Sequence, residues 1–279
     1  MPTTVEICTG SYEDCLSARD AGADRVELNS ALWLGGLTPS LGTLRLVRGA
    51  LDIPLITMLR PRGAGFCYSP HEVEVMFADA SALIDAGADG VAFGFLNPDA
   101  TINVEQTRLM VELAHSAGKE AVFHRAFDVT PNPKAALEML VDCGVDRILT
   151  SGQKPSAHAG ATLIAQLQKQ AAGRIQILAG AGINAQNVCE LINKTGISQV
   201  HASCRDYEKD PTTARNEVSY AYLEDDLSCS FDCVSKERAQ ALTYTVHHAE
   251  VQASLEYSSS ATDSSHSLLE FLPGISNAR

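Results

Sequence analysis

Carboxylates, imidazoles, a thiol and several guanidinium groups stand in this chain where short apolar segments end. Glu6 and Cys8 belong to Val5-Glu6-Ile7-Cys8, Glu27 and Asn29 to Val26-Glu27-Leu28-Asn29, and His124, Arg125 and Asp128 to Phe123-His124-Arg125-Ala126-Phe127-Asp128. Arg60 and Arg62 flank Pro61, and His201, Ser203, Cys204 and Arg205 follow one another closely after Val200. Carboxylate and imidazole groups together transfer protons near neutral pH, and arginines beside glycine-rich turns hold anions. The set points to an enzyme acting on a small anionic substrate, phosphorylated or sugar-like. Glu27 and His124 would serve as acid and base, and His201 as a second proton-transfer group. Arg60, Arg62 and Arg125 would clamp the anion, and the Gly180-Ala181-Gly182 turn would offer it backbone N–H groups. Glu6, Asp128, Ser151, Ser203 and Arg205 complete the candidate binding set.

Whether these groups meet depends on the elements that carry them. A phrase repeats along the chain: Ala21-Gly22-Ala23-Asp24-Arg25-Val26-Glu27-Leu28, Ala86-Gly87-Ala88-Asp89-Gly90-Val91-Ala92-Phe93, Cys143-Gly144-Val145-Asp146-Arg147-Ile148-Leu149, and more weakly Thr195-Gly196-Ile197-Ser198-Gln199-Val200-His201. Each copy reads as a helix end, a glycine cap and a buried strand. Copies lie roughly fifty to sixty-five residues apart, about two strand-plus-helix units, so a second strand belongs between neighbours. Val5–Cys8, Pro54–Arg60, Glu120–His124 and Ile175–Ala179 supply those strands. Helical stretches fall between them at Tyr12–Ala21, Ser40–Ala50, Pro70–Ala86, Val104–Ala117, Pro133–Val141, Ala159–Ala171 and Ala185–Lys194. The expected fold is a single (β/α)8 TIM barrel with a C-terminal extension, and an open doubly wound sheet is the alternative.

Alternation along a strand then decides which side chains enter the lumen. If Val5, Ile7, Val26 and Leu28 face the helices, then Glu6, Cys8, Glu27 and Asn29 point inward, joined by Val122, His124, His201 and Ser203. The bland competitor is an internal salt-bridge network, such as Glu27 with Arg60.

A chain of 279 residues, 45% hydrophobic, can bury one large core. We expect residues 1–256 to form the barrel with a closing helix over Ser235–Glu256, after a loop over Lys209–Asp226, and Tyr257–Arg279 to form a Ser-rich tail. The net charge of −13 argues against nucleic acid or an anionic membrane as partner. A cytoplasmic location is expected, and the eight cysteines show no paired framework. The Cys229/Cys233 spacing is a weak metal signal.

Seven segments together resemble the CutC family, known as copper homeostasis proteins: Val5–Cys8, Gly22–Leu28, Gly35–Ser40, Met58–Gly63, Phe123–Asp128, Leu149–Gly152 and Gly180–Ile183. The resemblance covers residues 4 to 206 in order. It implies a (β/α)8 barrel, a cytoplasmic homodimer and a role attached to copper, with Cys8 and Cys204 as candidate Cu(I) ligands; that copper role is the expected function, and the acid–base enzyme is its alternative. Cys67 and Met58 are further soft donors. Where some relatives carry a cysteine at the end of the second strand, this chain has Asn29.

Overall fold

Eight parallel strands close into a barrel in chain order. They are β1 (Thr4–Thr9), β2 (Arg25–Leu28), β3 (Leu55–Met58), β4 (Gly90–Phe93), β5 (Glu120–Phe123), β6 (Arg147–Thr150), β7 (Gln176–Gly180) and β8 (Gln199–Ala202). Between them run α1 (Tyr12–Asp20), α2 (Leu41–Ala50), α3 (Pro70–Asp85), α4 (Val104–Ser116), α5 (Pro133–Asp142), α6 (Ala161–Ala171) and α7 (Val188–Thr195). This structure, a computed structural model, describes residues 3–248. Because β1 pairs with both β2 and β8, the sheet is closed and the open doubly wound alternative is excluded.

The repeated phrase works as a fastening. Gly22, Gly87, Gly144 and Gly196 all adopt φ between +70° and +105°, the left-handed conformation that ends a helix and that a Cβ disfavours. Two residues on, the aspartate of the first three copies reaches back to the start of the preceding strand. Asp24 Oδ2 accepts the Val5 N–H at 2.7 Å, Asp89 Oδ2 that of Leu55 at 3.0 Å, and Asp146 Oδ2 that of Ala121 at 2.8 Å. Each carboxylate also meets a basic group from a helix, His247, Arg48 and His115 respectively. The fourth copy carries Ser198 instead, and there Gln199 Nε2 donates to Gln176 Oε1 at 2.6 Å.

Side-chain alternation sorts the interior into layers. Val5, Ile7, Val26 and Leu28 join the large core under the helices. Inside the barrel, Ile56, Met58, Ala92 and Val122 form a separate apolar layer. Nearer the N-terminal ends of the strands lies a polar layer. Arg25 donates to Gln199 at 2.8 Å, and Arg147 donates to Gln176 at 3.1 Å and to Glu120 at 2.9 Å.

After β8 the chain departs from the expected loop. β9 (Arg205–Lys209) pairs antiparallel with β12 (Ser230–Val234), and a small hairpin of β10 (Ala214–Arg215) and β11 (Val218–Ser219) lies between them. The expected loop over Lys209–Asp226 is thus the middle of a ribbon. β9 is polar and β10 and β11 are short and exposed, so no apolar alternation marked them. Two contacts tie the ribbon to the barrel: Val234 donates to Asp14 Oδ1 at 2.7 Å, and Trp33 stacks on Tyr222 with centroids 4.5 Å apart. The closing helix α8 runs over residues 236–248, with Ser235 Oγ accepting the Arg238 N–H at 3.3 Å as its cap. The expected helix end at Glu256 and the tail Tyr257–Arg279 lie outside the described residues. No helix among the described residues is long and apolar enough to cross a membrane.

Asp14 satisfies two backbone donors at once, because its Oδ2 accepts from Gly10 at 2.9 Å while Oδ1 holds Val234. Asp14→Ala leaves both without their acceptor and should lower stability by about 2–4 kcal/mol in urea unfolding. A loss under 0.5 kcal/mol (roughly the surface-substitution range) would show that the ribbon does not depend on this contact.

Candidate functional site

At the C-terminal ends of the strands a cavity of about 240 Å³ opens between Glu27, Arg60, His124, His201, Cys8 and the rim residues Gly182, Ser203 and Arg205. Its floor is a charged cluster set by strand register. Glu6 stands level with Arg25 on β2 and with His201 on β8. Its carboxylate accepts from the Arg25 guanidinium and pairs with His201 Nδ1 at 2.7 Å. Burial alone would raise the Glu6 carboxyl, but the Arg25 and His201 charges outweigh it and hold the group well below the usual carboxylate range. His201 is held well above its ordinary value: burial opposes protonation, while Glu27, Cys8 and Glu6 together overcome it.

Glu27 has no such cation of its own. Asn29 Nδ2 donates to its Oε2 at 3.1 Å, and His201 Nε2 lies 3.9 Å away. Burial raises the Glu27 carboxyl, the neighbouring Glu6 charge adds to this, and His201 works against it. The ligand atoms of Cys8, Glu27 and His201 lie within 4.8 Å of one another. Burial pushes the Cys8 thiol up, so it stays protonated at neutral pH.

His124 belongs to a different wall and a different charge state. Its Nδ1 accepts the Ala126 N–H at 3.1 Å, so the neutral ring carries its proton on Nε2. Burial and the nearby Arg60 charge push its pKa down to about 3. The ring is seated by Gly94, where a Cβ would fall 2.5 Å from His124 Cε1. Beside it, Arg60 gives Nη1 to the carbonyls of Leu34 (2.7 Å) and Gly36 (3.1 Å), and Nη2 to that of Ala64 (2.7 Å). Two N–H groups are left over: Arg60 Nε and His124 Nε2 are buried and have no hydrogen-bond partner. The Phe66 ring touches both residues, with its centroid 4.9 Å from that of His124 and 5.1 Å from Arg60 Cζ.

The predicted residues therefore divide. Glu27, His124, His201, Arg60, Arg125, Gly182, Ser203, Arg205 and Cys8 line the cavity. The acid and base expected as Glu27 with His124 are arranged otherwise: Glu27 neighbours His201, and His124 is a neutral donor. The Glu27–Arg60 ion pair is not formed, because Arg60 is spent on carbonyl oxygens. Arg62 is turned away, bonded to Glu72 at 2.5 Å and to the Cys67 carbonyl at 3.0 Å. Asp128 takes Thr150 Oγ1, the Ser151 and Gln153 N–H groups and Arg125 Nε, so Asp128 and Ser151 brace the loops after β5 and β6. Gly180 makes room for Leu149, 2.7 Å from where its Cβ would stand. Glu6 lies beneath the cavity. Cys204 is buried in the outer core, apart from Cys8, and its thiol is pushed up to about 11 by burial. Cys229 and Cys233 belong to no metal-competent cluster among the described residues.

Sequence reasoning passed over Arg25, Asn29 as the Glu27 donor, and Phe66. Arg25 shares inward parity with Glu27, so alternation along β2 was the available signal. Phe66 sits in a loop and carried none.

A closed barrel of eight parallel strands wrapped by helices, with its polar cavity at the C-terminal mouth, defines the (β/α)8 barrel class of fold. Within that class the chain belongs to the CutC family, whose model matches residues 3–206. It is 49% identical over 216 residues to the family protein CutC of Treponema denticola, spanning 77% of this chain and 87% of that one. It is 41% identical over 251 residues to the counterpart in Vibrio cholerae, spanning 88% and 96%. Among solved structures, CutC from Streptococcus agalactiae superposes with a TM-score of 0.68 at 30% identity, covering 72% of this chain and 98% of that chain.

The low pKa of His124 fixes one pH dependence. An unfolded histidine binds its proton near pH 6.5, the folded ring only near 3, so the native state loses stability as pH falls through that window, by up to about 1.4 kcal/mol per pH unit. His201 works in the other window: its contribution is full below about 6.5 and lost as pH rises through its higher folded value. Urea unfolding at pH 7, 5.5 and 4 should show His124→Phe with a shallower acid-side decline than wild type. Parallel declines in the two proteins would mean that the ring is not held neutral.

Proposed function

We propose that this barrel is an acid–base enzyme acting on a small anionic substrate. The observation that carries this reading is the gathering of the Glu27 carboxyl, the His124 and His201 imidazoles and the Arg60, Arg125 and Arg205 side chains around one cavity at the C-terminal mouth of the barrel. Carboxylate and imidazole groups transfer protons, and guanidinium groups beside them bind anions. Glu27 supplies the base: its Oε2 is anchored by Asn29, and its pKa is raised toward the working range of a proton acceptor. Glu6 and Arg25 act through His201, which they orient. The anion belongs at the rim, where a second cavity of about 450 Å³ shares Gly182, Ser203 and Arg205 with the first and adds Arg238. The loops after the seventh and eighth strands are the usual phosphate-binding place in barrels. A homodimer in the cytoplasm, as the family resemblance implies, is compatible with this chemistry.

Copper homeostasis is the role named for the Streptococcus agalactiae relative, and convergence of Cys8, Glu27 and His201 favours metal binding as a second reading. The donor chemistry does not suit Cu(I), which selects thiolate and thioether ligands. Of the converging groups only Cys8 is soft; Met58 belongs to the apolar layer, although it also borders the cavity. We derive no step through copper.

Calorimetric titration with ribose 5-phosphate and inorganic phosphate tests the first reading. Saturable binding is expected, weakened about tenfold by Arg205→Ala and unchanged by Arg62→Ala, whose guanidinium is committed to Glu72. Absence of binding by either anion would remove the anion-substrate reading. For copper, competitive Cu(I) titration should give equal, weak affinity for wild type and Cys8→Ala; tight binding that depends on Cys8 would put the copper reading first.

A further inference from the structure

We infer that Cys8, Glu27 and His201 form a binding site for Zn²⁺, with a fourth coordination position open to the cavity. The inference goes beyond the acid–base reading and does not depend on it.

Three adjacent strands bring the donors together. Cys8 on β1 stands level with Glu27 on β2, and Glu6, two residues before Cys8, stands level with His201 on β8. The Cys8 thiol, a Glu27 carboxylate oxygen and a His201 ring nitrogen lie within 4.8 Å of one another, and all three residues line the cavity. The ring nitrogen on that side is Nε2, 3.9 Å from Glu27 Oε2, which is too long for a hydrogen bond and within a small side-chain adjustment of two ligands on one ion. The other nitrogen, Nδ1, meets Glu6 Oε1 at 2.7 Å, and Glu6 is in turn held by Arg25. A carboxylate behind the ring fixes tautomer and orientation, as it does behind metal-ligating histidines. Asn29 Nδ2 lies 3.1 Å from Glu27 Oε2 and 3.5 Å from Cys8 Sγ, so one amide aims both remaining donors.

The donor set selects the ion. Mg²⁺ and Ca²⁺ take oxygen ligands and Cu(I) takes soft sulfur, whereas zinc accepts thiolate, imidazole and carboxylate together. Charge agrees: a thiolate and a carboxylate cancel the double charge of zinc, but would leave a Cu(I) centre with net negative charge in a buried place. Glu27 is also poorly answered without an ion, since Asn29 is its only side-chain hydrogen-bond donor among the described residues. As zinc enters, the thiol proton of Cys8 and the Nε2 proton of His201 pass to solvent, while His201 Nδ1–H stays on Glu6. Because the three ligands belong to one wall, the remaining position faces the lumen. Three protein ligands with one open place is the arrangement of reactive rather than purely structural zinc. An ion on Glu27 excludes a proton there, so zinc occupancy and base function are alternative states of the cavity.

Cobalt(II), which occupies zinc sites and is coloured, reads the ligands directly. Chelator-treated protein should bind one Co²⁺ per chain with a near-ultraviolet thiolate-to-cobalt charge-transfer band, and Zn²⁺ should displace it. Cys8→Ala should lose the band and bind the metal at least about 100-fold more weakly, the upper end of what removing a group behind a ligand costs. The double variant Cys67→Ser/Cys229→Ser, in which only exposed thiols are changed, should keep both band and affinity. No band in the wild type would overturn the site, as would a band that persists in Cys8→Ala or vanishes in the double variant. A thermal melt shows whether Cys8→Ala is folded; if it is not, the wild type and the double variant decide. Run on the same chelator-treated protein, the ribose 5-phosphate titration decides the acid–base reading separately, so cobalt that fails to bind leaves that reading standing.

Discussion

A carboxylate sealed inside a barrel is tolerable only if its charge is answered on the spot, and Glu6 is answered from both neighbouring strands. Arg25 and His201 reach it because β1 is registered so that Glu6 stands level with each of them. This interaction settles the states of the other groups. It keeps His201 protonated and oriented, and it claims the cations that would otherwise serve Glu27. The second carboxyl, equally buried, is then left with a raised pKa and a single amide donor. Two acids a few residues apart in space thus acquire opposite characters, one permanently charged and structural, the other free to exchange a proton.

The arginines divide along similar lines, by what each guanidinium has already been given. Arg62 has a carboxylate and three carbonyls, and Arg125 has Asp128 and Ser151; both hold loops in place. Arg60 is buried with carbonyl oxygens alone, so its positive charge meets no carboxylate among the described residues, and one N–H remains unused. The neutral His124 beside it fits that account, since a second cation there would cost more than a dipole does.

Much of this was legible in the residues. The glycine phrase and the apolar runs between its copies gave the eight strands and seven helices nearly to the residue, and alternation in Val5–Cys8 and Val26–Asn29 put the right side chains in the lumen. Register was not legible, because the stagger of strands around a closed barrel depends on packing that no single strand encodes. Hence Glu27 was paired with Arg60 and His124, when the imidazole it meets is that of His201, 3.9 Å away. Arg60 and Arg62 could not be told apart either: they share a tripeptide, and only the loop conformation turns one inward and the other toward Glu72. The ribbon over residues 205–234 escaped notice because exposed, polar strands leave no hydrophobic period.

The fastening at the base of the barrel separates what holds the strands from what lines the mouth. Asp24, Asp89 and Asp146 each lock one odd-numbered strand to the strand that follows its helix, using only residues of that two-strand unit and a basic group from a nearby helix. The lock sits at the opposite end of the strands from the cavity, so residues such as Asn29, Arg60 or Ser203 can be exchanged without loosening it. A scaffold fastened in this way keeps its backbone locks in the lower half of each strand and leaves the upper half free of that duty.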